Sequence, residues 1–88
     1  MSTVNADELL PIAAKIKSVF YRSPSPGAPP YVEVGDEVDE DTIVCILEVM
    51  KCLNTIRAGV KGRVVKIVAE DGQSVEKGEV VMLIEPSK

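Results

Sequence analysis

VEVGDEVDEDTIVCILE, residues 32–48, lies without a gap over AEDGQSVEKGEVVMLIE, residues 69–85, at a constant offset of 37. Gly35 falls on Gly72, Val38 on Val75, Ile43 on Val80, Val44 on Val81, Ile46 on Leu83, Leu47 on Ile84 and Glu48 on Glu85. Each copy reads as a glycine turn, a short strand start, a second turn, and an apolar strand closed by a glutamate. Apolar runs of about five residues bounded by turn signals are strand-like, since helices need longer stretches with a 3.6-residue period. Two such copies in 88 residues predict one pseudo-twofold all-β domain.

The repeat extends upstream with a changed offset. KGRVVKI (61–67) precedes the second copy and KSVFYR (17–22) the first. Gly62 to Gly72 is ten residues, whereas Ser18 to Gly35 is seventeen, so the first half carries seven extra residues. They fall in RSPSPGAPPY, residues 22–31, which holds four of the six prolines. Proline fixes φ and lacks a ladder donor, so this segment is expected to protrude as a loop. Because it interrupts a repeat, it is a protrusion from one domain and not a linker between two.

Val65, Ile67 and Ala69 alternate with Val64, Lys66 and Val68, predicting a strand that ends at the Asp71-Gly72 turn. LNTIRA (53–58) predicts another. Either Lys51-Cys52 or Leu53-Asn54 therefore stands near the tip of a hairpin joining the halves. Asn5 and Glu8 match a capping box, but Pro11 leaves space for barely one helical turn. Residues 1–10 read as an N-terminal tail, 11–86 as the domain and 87–88 as a C-terminal tail.

Composition excludes several function classes. Ten basic and fourteen acidic side chains give a net charge of -4, which opposes a phosphate-binding surface. Phe20, Tyr21 and Tyr31 are too clustered for a base-stacking platform, so nucleic acid is disfavoured. No apolar stretch is long enough to cross a membrane, and the N-terminus lacks a basic start followed by an apolar core. Cys45 and Cys52 are two local thiols, suited to a reducing, cytoplasmic compartment. Without histidine, neither a structural zinc site nor Ser-His or Cys-His catalysis can be assembled. An autonomous enzyme is not expected.

The hairpin itself reads Glu48-Val49-Met50-Lys51-Cys52. This resembles the Glu-Ala-Met-Lys-Met signature of biotinyl domains, and FYRSPSPGAPPYVEVGDEV resembles the segment of bacterial biotin carboxyl carrier proteins that contains their thumb. The resemblance spans about Ile12 to Glu85. It implies a flattened β-barrel or sandwich of two four-stranded sheets, with residues 22–31 as the thumb. It also implies biotin joined covalently to Lys51, with Glu48, Val49, Met50 and Cys52 as the flanking signature. Val49 stands where the family prefers alanine, and Cys52 where it usually has methionine or leucine. The family's Ser-Pro-Met-x-Gly of the first strand is here Ala14-Lys15-Ile16-Lys17-Ser18.

The chemistry implied needs only one exposed amine. A lysine in water is nearly all ammonium at neutral pH and becomes a nucleophile when a separate enzyme removes its proton. The implied partners are a biotin protein ligase, a biotin carboxylase subunit and a carboxyltransferase subunit. The domain would carry a carboxyl group between the last two for acetyl-CoA carboxylase in fatty acid biosynthesis. Tethering makes the second encounter intramolecular. Lipoyl carriers share the implied fold and hairpin lysine, but typically carry Asp-Lys there; Met50 and the insertion weigh against them. An unmodified biotinyl-like binding module is the alternative from another class, kept open by Val49 and Cys52.

Overall fold

Short segments separated by turns become eight strands in the computed structural model, which describes residues 9–87. They are β1 (Leu10–Ala13), β2 (Ser18–Tyr21), β3 (Glu37–Val38), β4 (Ile43–Val49), β5 (Cys52–Arg57), β6 (Gly62–Ile67), β7 (Gln73–Val75) and β8 (Val80–Pro86). Both bounds of β4 and β8 differ by the 37 residues of the repeat.

The strands form two antiparallel sheets, ordered β1-β8-β6-β3 and β5-β4-β2-β7. Exchanging β1 with β5, β2 with β6, β3 with β7 and β4 with β8 turns one order into the other. Each half lends two strands to its partner: β1 and β3 flank β8 and β6, and β5 and β7 flank β4 and β2. Neither half is therefore complete alone. No ladder joins the two sheets, so the domain is a flattened sandwich with β1, β5, β3 and β7 as edges.

Symmetry reaches individual hydrogen bonds. The Gly35 amide donates to the Val64 carbonyl at 2.8 Å, and the Gly72 amide donates to the Phe20 carbonyl at 2.7 Å. Gly35 and Gly72 have φ of 99° and 83°, a region open to glycine at little cost, so these turns need that residue. The buried core follows the same rule. Ala14 matches Ala58, Phe20 Val64, Val32 Ala69, Val38 Val75, Val44 Val81, Cys45 Met82 and Leu47 Ile84, which accounts for every member of the cluster. Several pairs set a large side chain against a small one, so the mates fill one interior without duplicating volume. Cys45 lies in the core, as expected for a small apolar thiol.

The insertion is the principal departure from symmetry. Phe20 and Leu47 are cross-strand partners facing the core, so the next pair, Tyr21 and Ile46, lies on the outer face. Ile46 is nevertheless only 4% exposed, while its mate Leu83 is half-buried. Ile46 shares a cleft wall with Ser23, Pro24, Ser25 and Pro26, which accounts for the difference. Residues 22–31 leave β2 and return, the Tyr31 amide donating to the Arg22 carbonyl at 2.8 Å across the neck.

Four expectations need adjustment. The strand read through to Asp71 ends at Ile67, because the Val68 and Ala69 amides both turn to one acceptor, the Val81 carbonyl, and regular pairing stops there. The strand read as 53–58 is Cys52–Arg57. β1 begins at Leu10, inside the segment assigned to the tail. Ala14-Lys15-Ile16-Lys17 is not strand but the connection from β1 in one sheet to β2 in the other. The Asn5–Glu8 capping box lies outside the described residues.

Candidate functional site

β4 and β5 are joined by the shortest of hairpins. Val49 pairs with Cys52, leaving Met50 and Lys51 as the two central turn residues. Their φ values are 50° and 68°, the positive pair that a two-residue type I′ hairpin requires. The tip is thus Met50-Lys51, one residue before the earlier of the two expected positions. Turns of this kind usually carry Asn-Gly. Left-handed backbone costs an L-residue about 1–2 kcal/mol, so Met-Lys here is a strained choice. Met50 is 92% exposed and Lys51 is exposed beside it. Apolar burial cannot repay that strain.

The expected flanking residues take distinct places. Glu48 is half-buried on the outer face, where its Oε1 accepts a hydrogen bond of 3.4 Å from the Tyr21 hydroxyl. Its carboxylate, with burial and their hydrogen bond, pushes the Tyr21 phenol above its ordinary value; Asp71 adds a smaller push. Val49 is half-buried at the turn's base, and Cys52 is exposed as the first residue of β5. Cys45 and Cys52 are both free thiols. Among the described residues, no group of acidic or cysteine side chains is arranged to hold a metal ion.

Three further residues complete the surroundings, and local sequence gave little sign of them. Asn54 Nδ2 donates to the Leu47 carbonyl at 3.2 Å and to the Cys52 carbonyl at 3.4 Å, bracing the hairpin behind its tip. Leu53, 57% exposed, pairs across the ladder with Glu48. Asp71, distant in sequence, joins Tyr21, Ile46, Glu48, Leu53 and the insertion around a cleft of about 280 Å³. The hairpin cue Glu-x-Met-Lys could find the lysine, but not this wall.

The hairpin of this symmetric β-sandwich sets two exposed side chains, Met50 and Lys51, on a turn of positive φ. The chain belongs to the family described as biotin-requiring enzymes, matched over residues 15–84. It is 45% identical over 78 residues to the chloroplastic biotin carboxyl carrier protein of acetyl-CoA carboxylase of Glycine max, covering 89% of this chain and 30% of that protein. It is 46% identical over 67 residues to the biotin carboxyl carrier protein of acetyl-CoA carboxylase of Chlamydia trachomatis serovar D, covering 76% of this chain and 41% of that one. The chain thus spans less than half the length of either relative. Among solved structures it is similar to the urea carboxylase of Kluyveromyces lactis, with a TM-score of 0.74 and 28% identity, over 96% of this chain and 7% of that one.

Proposed function

We propose that this chain is the biotin-bearing domain of a biotin carboxyl carrier, attached to biotin through Lys51 and serving acetyl-CoA carboxylase. The observation that carries this reading is the pair of positive φ values at Met50 and Lys51. Strain concentrated on exposed side chains points to function at that position. The relatives' names supply the direction of that function.

The chain's own part is presentation. A biotin protein ligase deprotonates the Lys51 amine, which attacks the acyl carbon of an activated biotinyl adenylate. A C–N amide bond forms as the C–O bond of the acyl phosphate breaks, and AMP departs. Attached biotin supplies a group that accepts a carboxyl at one active site and releases it at another. β4, β5 and Asn54 fix the direction in which Lys51 leaves the domain, and the 22–31 insertion, whose Ser23–Pro26 share a cleft with Glu48 and Leu53, is the thumb. A carboxylase and a carboxyltransferase subunit perform the chemistry, and the carrier needs no catalytic groups of its own. Two unpaired thiols suit the cytoplasm, and no helix among the described residues is long and apolar enough to cross a membrane.

Coexpression with an active biotin ligase tests the proposal. The expected result is an intact mass raised by one biotinyl group and quantitative streptavidin capture. An unchanged mass beside a fully biotinylated control carrier would contradict it.

A further inference from the structure

The insertion could hang from its neck as a loose loop, but its bonds tie it to the other half of the domain. The Arg22 amide donates to Oδ1 of Asp71 at 2.7 Å, although 49 residues separate them. The Arg22 guanidinium crosses the neck, where Nη2 donates to the Val32 carbonyl at 3.2 Å. It also lies 3.9 Å from a Glu33 carboxylate oxygen. Its Nε is buried and meets no acceptor among the described residues. The group is therefore wedged by its Nη2 end and not by generic solvation. Asp71 sits immediately before Gly72, whose own amide is fastened to Phe20 in β2. The repeat equivalent of Arg22 is Lys66, in a half with no insertion to hold.

We propose that Arg22 and Asp71 form a latch that locks residues 23–31, whose first four form one wall of the cleft lined by Glu48 and Leu53 of the lysine hairpin. They are positioning residues. Their loss frees the wall while leaving the two sheets intact, because neither side chain belongs to the buried core. The consequence for carboxyl transfer rests on the carrier reading above; the latch itself does not.

Amide hydrogen exchange in the whole chain reads the latch directly. Ala28 and Tyr31, whose amides bond to the Ser25 and Arg22 carbonyls, report on the insertion, while Gly35 and Val64 report on the sheets. Arg22→Ala and Asp71→Ala should each speed exchange at Ala28 and Tyr31 by about tenfold, the loss expected for one charge-assisted hydrogen bond. Gly35 and Val64 should change by less than about twofold. Asp71→Asn keeps an oxygen acceptor and should stay close to the parent. Unchanged exchange in the insertion, or an equal rise in insertion and sheets, would overturn the latch. Transfer from biotinylated protein, compared at equal extents of modification, should fall several-fold in Asp71→Ala and recover in Asp71→Asn. Faster exchange with normal transfer would overturn the wall's role in transfer. A parent that never accepts biotin would instead defeat the carrier reading, with the exchange result for the latch unaffected.

Discussion

The Tyr21 hydroxyl donates to Oε1 of Glu48 at 3.4 Å, on the outer face of the sheet that carries the lysine hairpin. Its repeat counterpart is different: Glu85, the mate of Glu48, is held by Arg63 at 3.1 Å. Arg63 corresponds to Val19 and Tyr21 to Val65, so the half bearing Lys51 has exchanged an ion pair for a neutral donor. Among the described residues, no cation pairs with Glu48.

This relationship sets the titration of Tyr21. The Glu48 carboxylate opposes formation of a phenolate beside it, so Tyr21 ionises above its ordinary value of 10.0. Glu48→Gln removes that charge and should bring the titration down. Ultraviolet absorbance of the two tyrosines, followed with pH in parent and variant, measures the change. An identical phenol titration in the two proteins would refute the assignment.

The two thiols should behave oppositely. Cys45 is buried in the core, and burial pushes its thiol from 9.0 up to about 12. A thiol reagent at pH 8 should label Cys52 at once and Cys45 only on unfolding. The same shift has a stability sign: below pH 9 both folded and unfolded chains keep the Cys45 proton. Between about 9 and 12 the unfolded chain releases it first, so stability falls as pH rises. Cys45→Ala should flatten this part of the alkaline profile in denaturant titrations, on top of a general loss of stability.

Strain at the tip gives a prediction of opposite sign to most substitutions. Lys51→Gly places glycine where φ is 68° and should stabilise the domain by about 1 kcal/mol. For a domain of this size that is a rise of about 4–8 °C in Tm. A lower Tm would show that the turn is not strained.

Ile46 and its mate Leu83 provide a matched comparison for the insertion. Ile46→Ala should cost about 2–4 kcal/mol and Leu83→Ala distinctly less, since only Ile46 is covered. Deleting Ser23 to Pro29 should leave a folded domain in which the two costs converge. Denaturant midpoints of the parent and the deletion variant, each alone and with either alanine substitution, decide this. An unfolded deletion variant would show that the insertion belongs to the core.

Much of this fold was legible because the repeat repeats in three dimensions. Offsets of 37 and 44 residues identify the mates in β4 and β8 and in β2 and β6, and the buried mates belong to one core. The change of offset located the insertion between Tyr21 and Val32. What local sequence could not carry was backbone conformation and long-range contact. Met50-Lys51 lacks the Asn-Gly cue for positive φ, so the sequence places Lys51-Cys52 or Leu53-Asn54 near the tip and does not single out Met50. The bulge between Val64 and Lys66 inserts a register shift that alternation alone does not announce. Asp71 looked only like a turn residue beside Gly72, and its grip on Arg22 depends on folding that brings the halves together.

The central claim is that the exposed turn lysine, and no other, takes biotin. Peptide mapping by mass spectrometry, after modification with a biotin ligase, tests it most directly when parent and Lys51→Arg proteins are compared. Arginine keeps the positive charge but is not acylated, so the variant should stay folded. One adduct, on Lys51, is expected in the parent and none in the variant. An adduct on Lys61 or Lys66, or undiminished biotinylation of the folded variant, would contradict it.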